Sequence, residues 1–228
     1  MRYAIYFTPE ATDPLTIAAS SWLGRSAFST EPTGFPETVP VSPDRMQVVT
    51  AAAARYGFHA TLKAPFTLKE SVTPAALEAA FDVFCRKHSA FTLPEITLGE
   101  LGNFFALVPA ERYPHLQAFA AGVVDQFEPM RAPLSEADIA RRKPESLSDT
   151  ERANLLRWGY PYVFDEFRFH MTLTGPVQGT DATVIRSAAA EYFAPFIGRP
   201  LAINGLALFV EETRGGPFTV RRWQKLAG

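Results

Sequence analysis

The chain is short of several things, and each shortage closes off a class of function. It has one cysteine, Cys85, among 228 residues, so no disulfide can form within it and a cysteine-based metal cluster is excluded. Cys85 falls inside an apolar helical pattern, where a free thiol packs as a small hydrophobe. No segment reaches the roughly 18 continuous apolar residues of a membrane span. A surplus of either charge is also missing: 22 Lys and Arg stand against 24 Asp and Glu, a net charge of -2. That balance removes the broad electrostatic pull of a protein that tracks a polyanion. There is no glycine-rich loop ending in Lys-Ser or Lys-Thr, so ATP hydrolysis is not expected.

Histidine is scarce too, and what there is falls into a pattern. Two of the four histidines lie in matching ten-residue frames, YGFHATLKAP around His59 and FRFHMTLTGP around His170. On a strand, alternation puts His59 with Thr61, and His170 with Thr172, on one face, while Phe58, Ala60 and Leu62 turn the other way. Two imidazoles and two hydroxyls can then meet in one cleft. That set suits a phosphate ester: one histidine can act as neutral base and the other as protonated acid. A threonine hydroxyl two residues on can hold a non-bridging phosphate oxygen. A single His-x-Thr is weak, because a histidine among Phe and Leu is often a core residue; the duplication gives it weight. His88 and His115 lack such a frame and read as structural, His88 at a helix end and His115 beside Pro114.

With these paired motifs the chain resembles the two-histidine (2H) phosphoesterases, whose mark is a His-x-Thr on strands of two internally related lobes. The segment RYGFHATLKAPF, with RYAIYFTPE and WLGR near the start, is similar to a bacterial branch of that superfamily associated with phosphonate utilisation. The resemblance implies hydrolysis or transfer at a cyclic phosphate without metal or other cofactor, with His59, Thr61, His170 and Thr172 as the catalytic four.

The order of elements agrees with such a fold. Arg2 to Thr8 alternates as a strand, not a secretory signal, and Asp13-Pro14 opens a helix that ends by Gly24. Residues 26–43 form a long loop suited to a lid. Short helices are expected over Asp44 to Tyr56 and, capped by Thr73, over Pro74 to His88. A hairpin follows from Phe91 to Val108, then a helix from Tyr113 to Phe127. The second half repeats strand, helix and hairpin: Arg168 to Pro176, Asp181 to Phe193, then Leu201 to Glu211 with Pro217 to Leu226. Between the halves, 130–162 reads as a helical insertion, a solvated cap or a shaper of substrate access. The expected fold is α+β, a single bilobal domain over 1–228. Its lobes are two pseudo-symmetric, mostly antiparallel sheets backed by helices, with a groove between them. The lobes cover about 44–128 and 163–228, and residues 1–25 pack on the sheets.

Lys63 and Arg168 share strand parity with the motif residues and are candidates for binding phosphate; Tyr6 and Tyr56 can supply hydroxyls or a stacking face. The expected partner is a small phosphorylated substrate, a nucleotide or ribose cyclic phosphate, handled in the cytoplasm. RNA is less favoured, since a pI near 6.1 argues against a long basic track. Two alternatives stay open: an enzyme processing or ligating RNA ends, and a module that binds a phospho-ligand without turning it over. Nothing in the sequence sets the oligomeric state.

Overall fold

The computed structural model describes residues 1–29 and 31–228. Among them the strands are β1 (Arg2–Phe7), β2 (Ala60–Phe66), β3 (Phe91–Leu101), β4 (Phe104–Pro109), β5 (Met171–Thr172), β6 (Arg199–Ile203), β7 (Gly205–Glu211) and β8 (Thr219–Lys225). The α-helices are α1 (Pro14–Leu23), α2 (Pro43–Ala54), α3 (Pro74–Lys87), α4 (Pro114–Phe127), α5 (Glu136–Arg141), α6 (Asp149–Trp158) and α7 (Gly179–Tyr192). Local chemistry sets their ends. The Asp13 carboxylate accepts from the Leu15 N–H at 2.8 Å, Gly24 closes α1 at φ 69°, and Thr73 and Ser148 cap α3 and α6.

The strands make one α+β sheet in the order β6-β3-β4-β5-β2-β1-β7-β8, with every neighbouring pair antiparallel. The two motif strands, β5 and β2, lie together at its centre. The pseudo-symmetric lobes are therefore halves of one sheet, β5-β4-β3-β6 and β2-β1-β7-β8. Each half draws on both stretches of chain. The β3–β4 hairpin follows the first motif in sequence but borders the second, and β7–β8 follows the second motif but joins the first through β1. The grouping into 44–128 and 163–228 thus cuts across the strand neighbours. Long connections through α3 and α7 permit the crossing, because closure entropy rises only slowly with loop length.

The strand expected over Leu201 to Glu211 splits at Asn204. Ile203 pairs with Phe91 in one half, and Gly205 pairs with Lys225 in the other. One intervening residue cannot span a flat sheet eight strands wide, so the sheet curls until its edges approach. The Leu226 N–H to Asn204 carbonyl bond, 2.9 Å, and the Ala90 N–H to Ala227 carbonyl bond, 2.8 Å, tie that seam.

Alternation along the central strands decides what the curl encloses. Phe58, Ala60, Leu62, Phe169, Met171 and Leu173 are buried in one core with Trp22 of α1, Met46 of α2, Phe81 of α3, Val123 of α4 and Ile185 of α7. Helices cover that face, and the histidines and threonines lie on the other. The loop over 26–43 is not a lid. Ala27 and Val39 are buried, Thr33 Oγ1 donates to the Ser20 carbonyl at 2.8 Å, and no described residue of the loop lines the histidine cleft. Thr30 lies outside the described residues.

Candidate active site

Each histidine sits one residue ahead of its central strand. Ala60 pairs with Met171, and carrying that antiparallel register one residue either way sets His59 opposite Thr172 and Thr61 opposite His170. Each imidazole thereby faces the other motif's hydroxyl.

The rings are held alike. His59 Nδ1 donates to the Gly57 carbonyl at 2.9 Å, and His170 Nδ1 donates to the Arg168 carbonyl at 2.7 Å. A carbonyl oxygen can only accept, so the neutral rings carry their proton on Nδ1 and leave Nε2 with a free lone pair. His59 Nε2 accepts from Thr61 Oγ1 at 3.1 Å. The His59 ring stacks on Tyr6, centroids 3.9 Å apart and planes at 25°, whereas His170 has Phe104 tilted at 5.9 Å. Gly57 makes the first arrangement possible: its φ is 76°, and a Cβ there would stand 2.5 Å from the Ala27 methyl.

Strand β5 is only two residues long, so neighbours fix the second motif. The Trp22 indole donates to the Leu173 carbonyl at 3.0 Å, the Leu173 N–H to the Phe105 carbonyl at 2.8 Å, and the Gly175 N–H to the Val49 carbonyl at 2.7 Å. The Phe105 N–H donates to Thr174 Oγ1 at 3.0 Å. Such bonds, each contributing about 1 kcal/mol net, hold His170 where a longer ladder would otherwise be needed.

His59, Thr61, His170 and Thr172 line one cavity of about 290 Å³, together with Tyr6, Tyr56, Phe104, Arg142, Tyr160 and Thr174. Thr61, Phe104, Tyr160 and His170 also border a second compartment of about 440 Å³, which adds Glu151, Tyr162, Glu166 and Arg168. Burial favours uncharged imidazoles. His59 is held down to about 4, chiefly by loss of water; the Gly57 carbonyl opposes this and the His170 charge adds to it. His170 is lowered by burial, against the pull of the Arg168 carbonyl. A larger hollow of about 610 Å³, between α4 and the 130–162 segment, includes neither histidine.

Tyr6 and Tyr56 line the cavity with the motif residues; Lys63 does not. The β1–β2 register shifts between Tyr6 opposite Thr61 and Ile5 opposite Lys63, so β2 carries an extra residue there. That bulge reverses the alternation. Ala64 faces the cavity, while Lys63 is 2 % exposed on the helix side and ion-paired with Glu128, just after the end of α4. Arg168 lines the second compartment, and its carbonyl, not its guanidinium, orients His170. Arg142, Tyr160 and Phe104 were not picked out from the sequence. Arg142 and Tyr160 come from the 130–162 segment, which shapes the cleft, and Phe104 arrives through long-range pairing of β4 with β5. Thr174 shares parity with His170 and Thr172, a signal the sequence did hold. Among the described residues no three of His, Cys, Asp and Glu converge as a metal-binding set, and no helix is long and apolar enough to cross a membrane.

Residues 61–219 match the family described as "Protein of unknown function (DUF1045)". The chain belongs to that family. This DUF1045 protein is 40% identical over 229 residues to a protein of Janthinobacterium sp. (strain Marseille) named "Ribose 1,5-bisphosphate phosphokinase PhnN", covering 99% of the chain and 50% of that protein. It is 35% identical over 231 residues to one of the same name in Laribacter hongkongensis (strain HLHK9), covering 100% of the chain and 53% of that protein. The chain spans about half the length of these curated relatives. Among solved structures it is similar to TT0787 of Thermus thermophilus, with a TM-score of 0.46, 16% identity, and 100% and 99% of the two chains covered. It is also similar to LigT of E. coli complexed with 3'-AMP, with a TM-score of 0.42, 14% identity, and 100% and 98% covered.

Proposed function

We propose that this DUF1045 protein is a two-histidine phosphoesterase that opens a small cyclic phosphodiester by general acid and base catalysis, without a metal. One observation carries the reading: both imidazoles, each locked by the carbonyl two residues before it, line one cavity with both motif threonines. His59 is the base. Its proton affinity is depressed to about 4 and His170 contributes to that depression, so the first proton the pair takes goes to His170.

A water oxygen then attacks phosphorus and gives its proton to His59 Nε2. The bond from phosphorus to one ring oxygen breaks, the electron pair leaves with that oxygen, and the His170 Nε2 proton neutralises it. Thr61 and Thr172 hydrogen-bond the non-bridging oxygens as their charge redistributes. The anionic substrate itself raises the affinity of the site for the proton this requires.

The relatives' name suggests a substrate. A cyclic phosphate bridging O1 and O2 of ribose 5-phosphate, opened at O2, yields ribose 1,5-bisphosphate, the compound in that name. It also suits the phosphonate setting of the branch that the sequence resembles. We assign the kinase activity of that name to the half of those relatives the chain does not span, because this chain lacks a triphosphate-binding loop. A cytoplasmic setting belongs to the same reading. The second compartment, with Phe104, Tyr160 and Tyr162 at its walls, offers stacking faces for a base, so nucleoside cyclic phosphates are suitable probes.

The test is turnover of bis-p-nitrophenyl phosphate and nucleoside 2',3'-cyclic phosphates in EDTA. Release of nitrophenol and of ring-opened monoester is expected. Tight binding without turnover would point to a non-catalytic module, and activity that chelator abolishes would overturn the metal-free mechanism.

A further inference from the structure

The histidine cavity holds one cation that the reaction above does not use. Arg142 is the sole lysine or arginine among its described lining residues, and among the described residues it has no carboxylate partner. Its neighbours are engaged: Arg2 with Glu211 at 2.6 Å, Arg131 with Glu128 at 2.6 Å, and Arg141 with Asp138. Asp138, four residues earlier, is already shared with Arg214. The guanidinium carbon of Arg142, an exposed residue at the rim, lies 5.0 Å from the Tyr160 ring centroid, a cation–π contact that places the charge beside the cavity. Burial raises the Tyr6 phenol well above its usual value, and the charges of Arg2 and Arg142 oppose that rise. Arg168 is differently placed, since Glu151 and Glu166 line its compartment with it.

A guanidinium without a carboxylate partner among the described residues, at a cavity whose lining holds no carboxylate, matches a phosphate monoester dianion. At about 290 Å³ the cavity is at the small end of ligand sites, which run from about 300 to 1,000 Å³, and so suits a pentose more than an oligonucleotide.

We infer that Arg142 binds a second phosphate of the substrate, a monoester remote from the cyclic diester held between the histidines. The substrate class is then a sugar carrying two phosphates. This rests on the cyclic-phosphate reading above and deepens it, by assigning to Arg142 the 5-phosphate that the ring-opening chemistry itself does not need.

The experiment compares cytidine 2',3'-cyclic phosphate with the same compound phosphorylated at O5'. The protein should prefer the 5'-phosphorylated form in kcat/KM by roughly 10- to 100-fold, the worth of a charged hydrogen-bonded contact, and mainly through KM. Arg142→Met should bring the ratio close to one, and Arg142→Lys should restore part of it. Turnover of both compounds at equal efficiency by the unaltered protein would overturn the inference and leave the phosphodiesterase reading intact. A ratio that Arg142→Met leaves unchanged, with both rates lowered together, would overturn it as well by placing Arg142 at the reacting phosphate. If neither compound is turned over, the phosphodiesterase reading fails. Calorimetric binding of ribose 5-phosphate then decides the inference: a loss of about tenfold or more in Arg142→Met upholds it, and no change overturns it.

Discussion

Ala60 and Met171 are direct cross-strand partners at the centre of the sheet, and this one pairing relates the two His-x-Thr segments by a local two-fold. The backbone treats the histidines alike, each ring tied to the carbonyl two residues behind it. The surroundings differ: His59 is stacked on Tyr6 and bonded to Thr61, whereas the aromatic ring beside His170, among the described residues, is the tilted Phe104. The two-fold brings two imidazoles to one cavity, and the unequal walls are what the proposed division into acid and base rests on.

His59→Ala and His170→Ala should each lower kcat on a cyclic phosphodiester by about 10²- to 10⁴-fold, the usual contribution of a positioned proton-transfer group. The double variant should fall little further, since the two act as a unit. Circular dichroism should show the fold retained, because neither ring belongs to the large apolar core. A single variant with unaltered turnover would remove that histidine from the mechanism.

Because both imidazoles have lowered proton affinity in the free protein, binding an anion at pH 7 should draw in a proton. Calorimetric titration with inorganic phosphate in buffers of different ionisation enthalpy measures this directly, and zero uptake would contradict it. The sign for stability follows from linkage. Neutral folded-state imidazoles contribute fully above the unfolded value near 6.5, and the contribution is lost as pH falls towards about 4 for His59. The melting temperature should drop across that window, less steeply in His59→Phe. Tyr6→Ala, by letting water reach the ring, should move the His59 titration, followed by NMR, back towards 6.5.

Gly57→Ala places a side chain at φ 76° with its Cβ 2.5 Å from the Ala27 methyl. The backbone strain alone costs about 1–2 kcal/mol. Relieving the clash shifts the carbonyl that holds His59 Nδ1, so kcat should fall by more than the thermal destabilisation accounts for. A variant that melts earlier yet keeps full kcat would show that this carbonyl does not set the ring.

Lys63→Met tests the reversed strand parity. Lys63 is buried against Glu128, which also binds Arg131 at 2.6 Å. Its loss should destabilise the protein by ~3 kcal/mol, the low end for unpairing a buried charge, because Arg131 remains. KM should stay unchanged, read by denaturant unfolding and steady-state kinetics together. A tenfold rise in KM would return Lys63 to the cleft.

The divergence between sequence and structure at Lys63 shows where sequence reasoning stops. His59 and Thr61 share a face because alternation is a property of two adjacent peptide units, whereas Lys63 leaves that face because β2 gains an extra residue in matching β1. The bulge answers to a partner more than 50 positions away in the chain and has no local mark.

The amino-acid sequence alone determined what stereochemistry settles over a few residues: the helix starts at Asp13 and Thr73, the buried faces of the motif strands, and the repeated His-x-Thr on which the proposed chemistry rests. Tertiary structure decided which strands neighbour one another, how Leu201 to Glu211 divides at Asn204, and how Arg142 and Tyr160 reach the histidines. Those outcomes depend on pairing and packing between distant segments. The free energy of such contacts exists only once the chain has closed on itself.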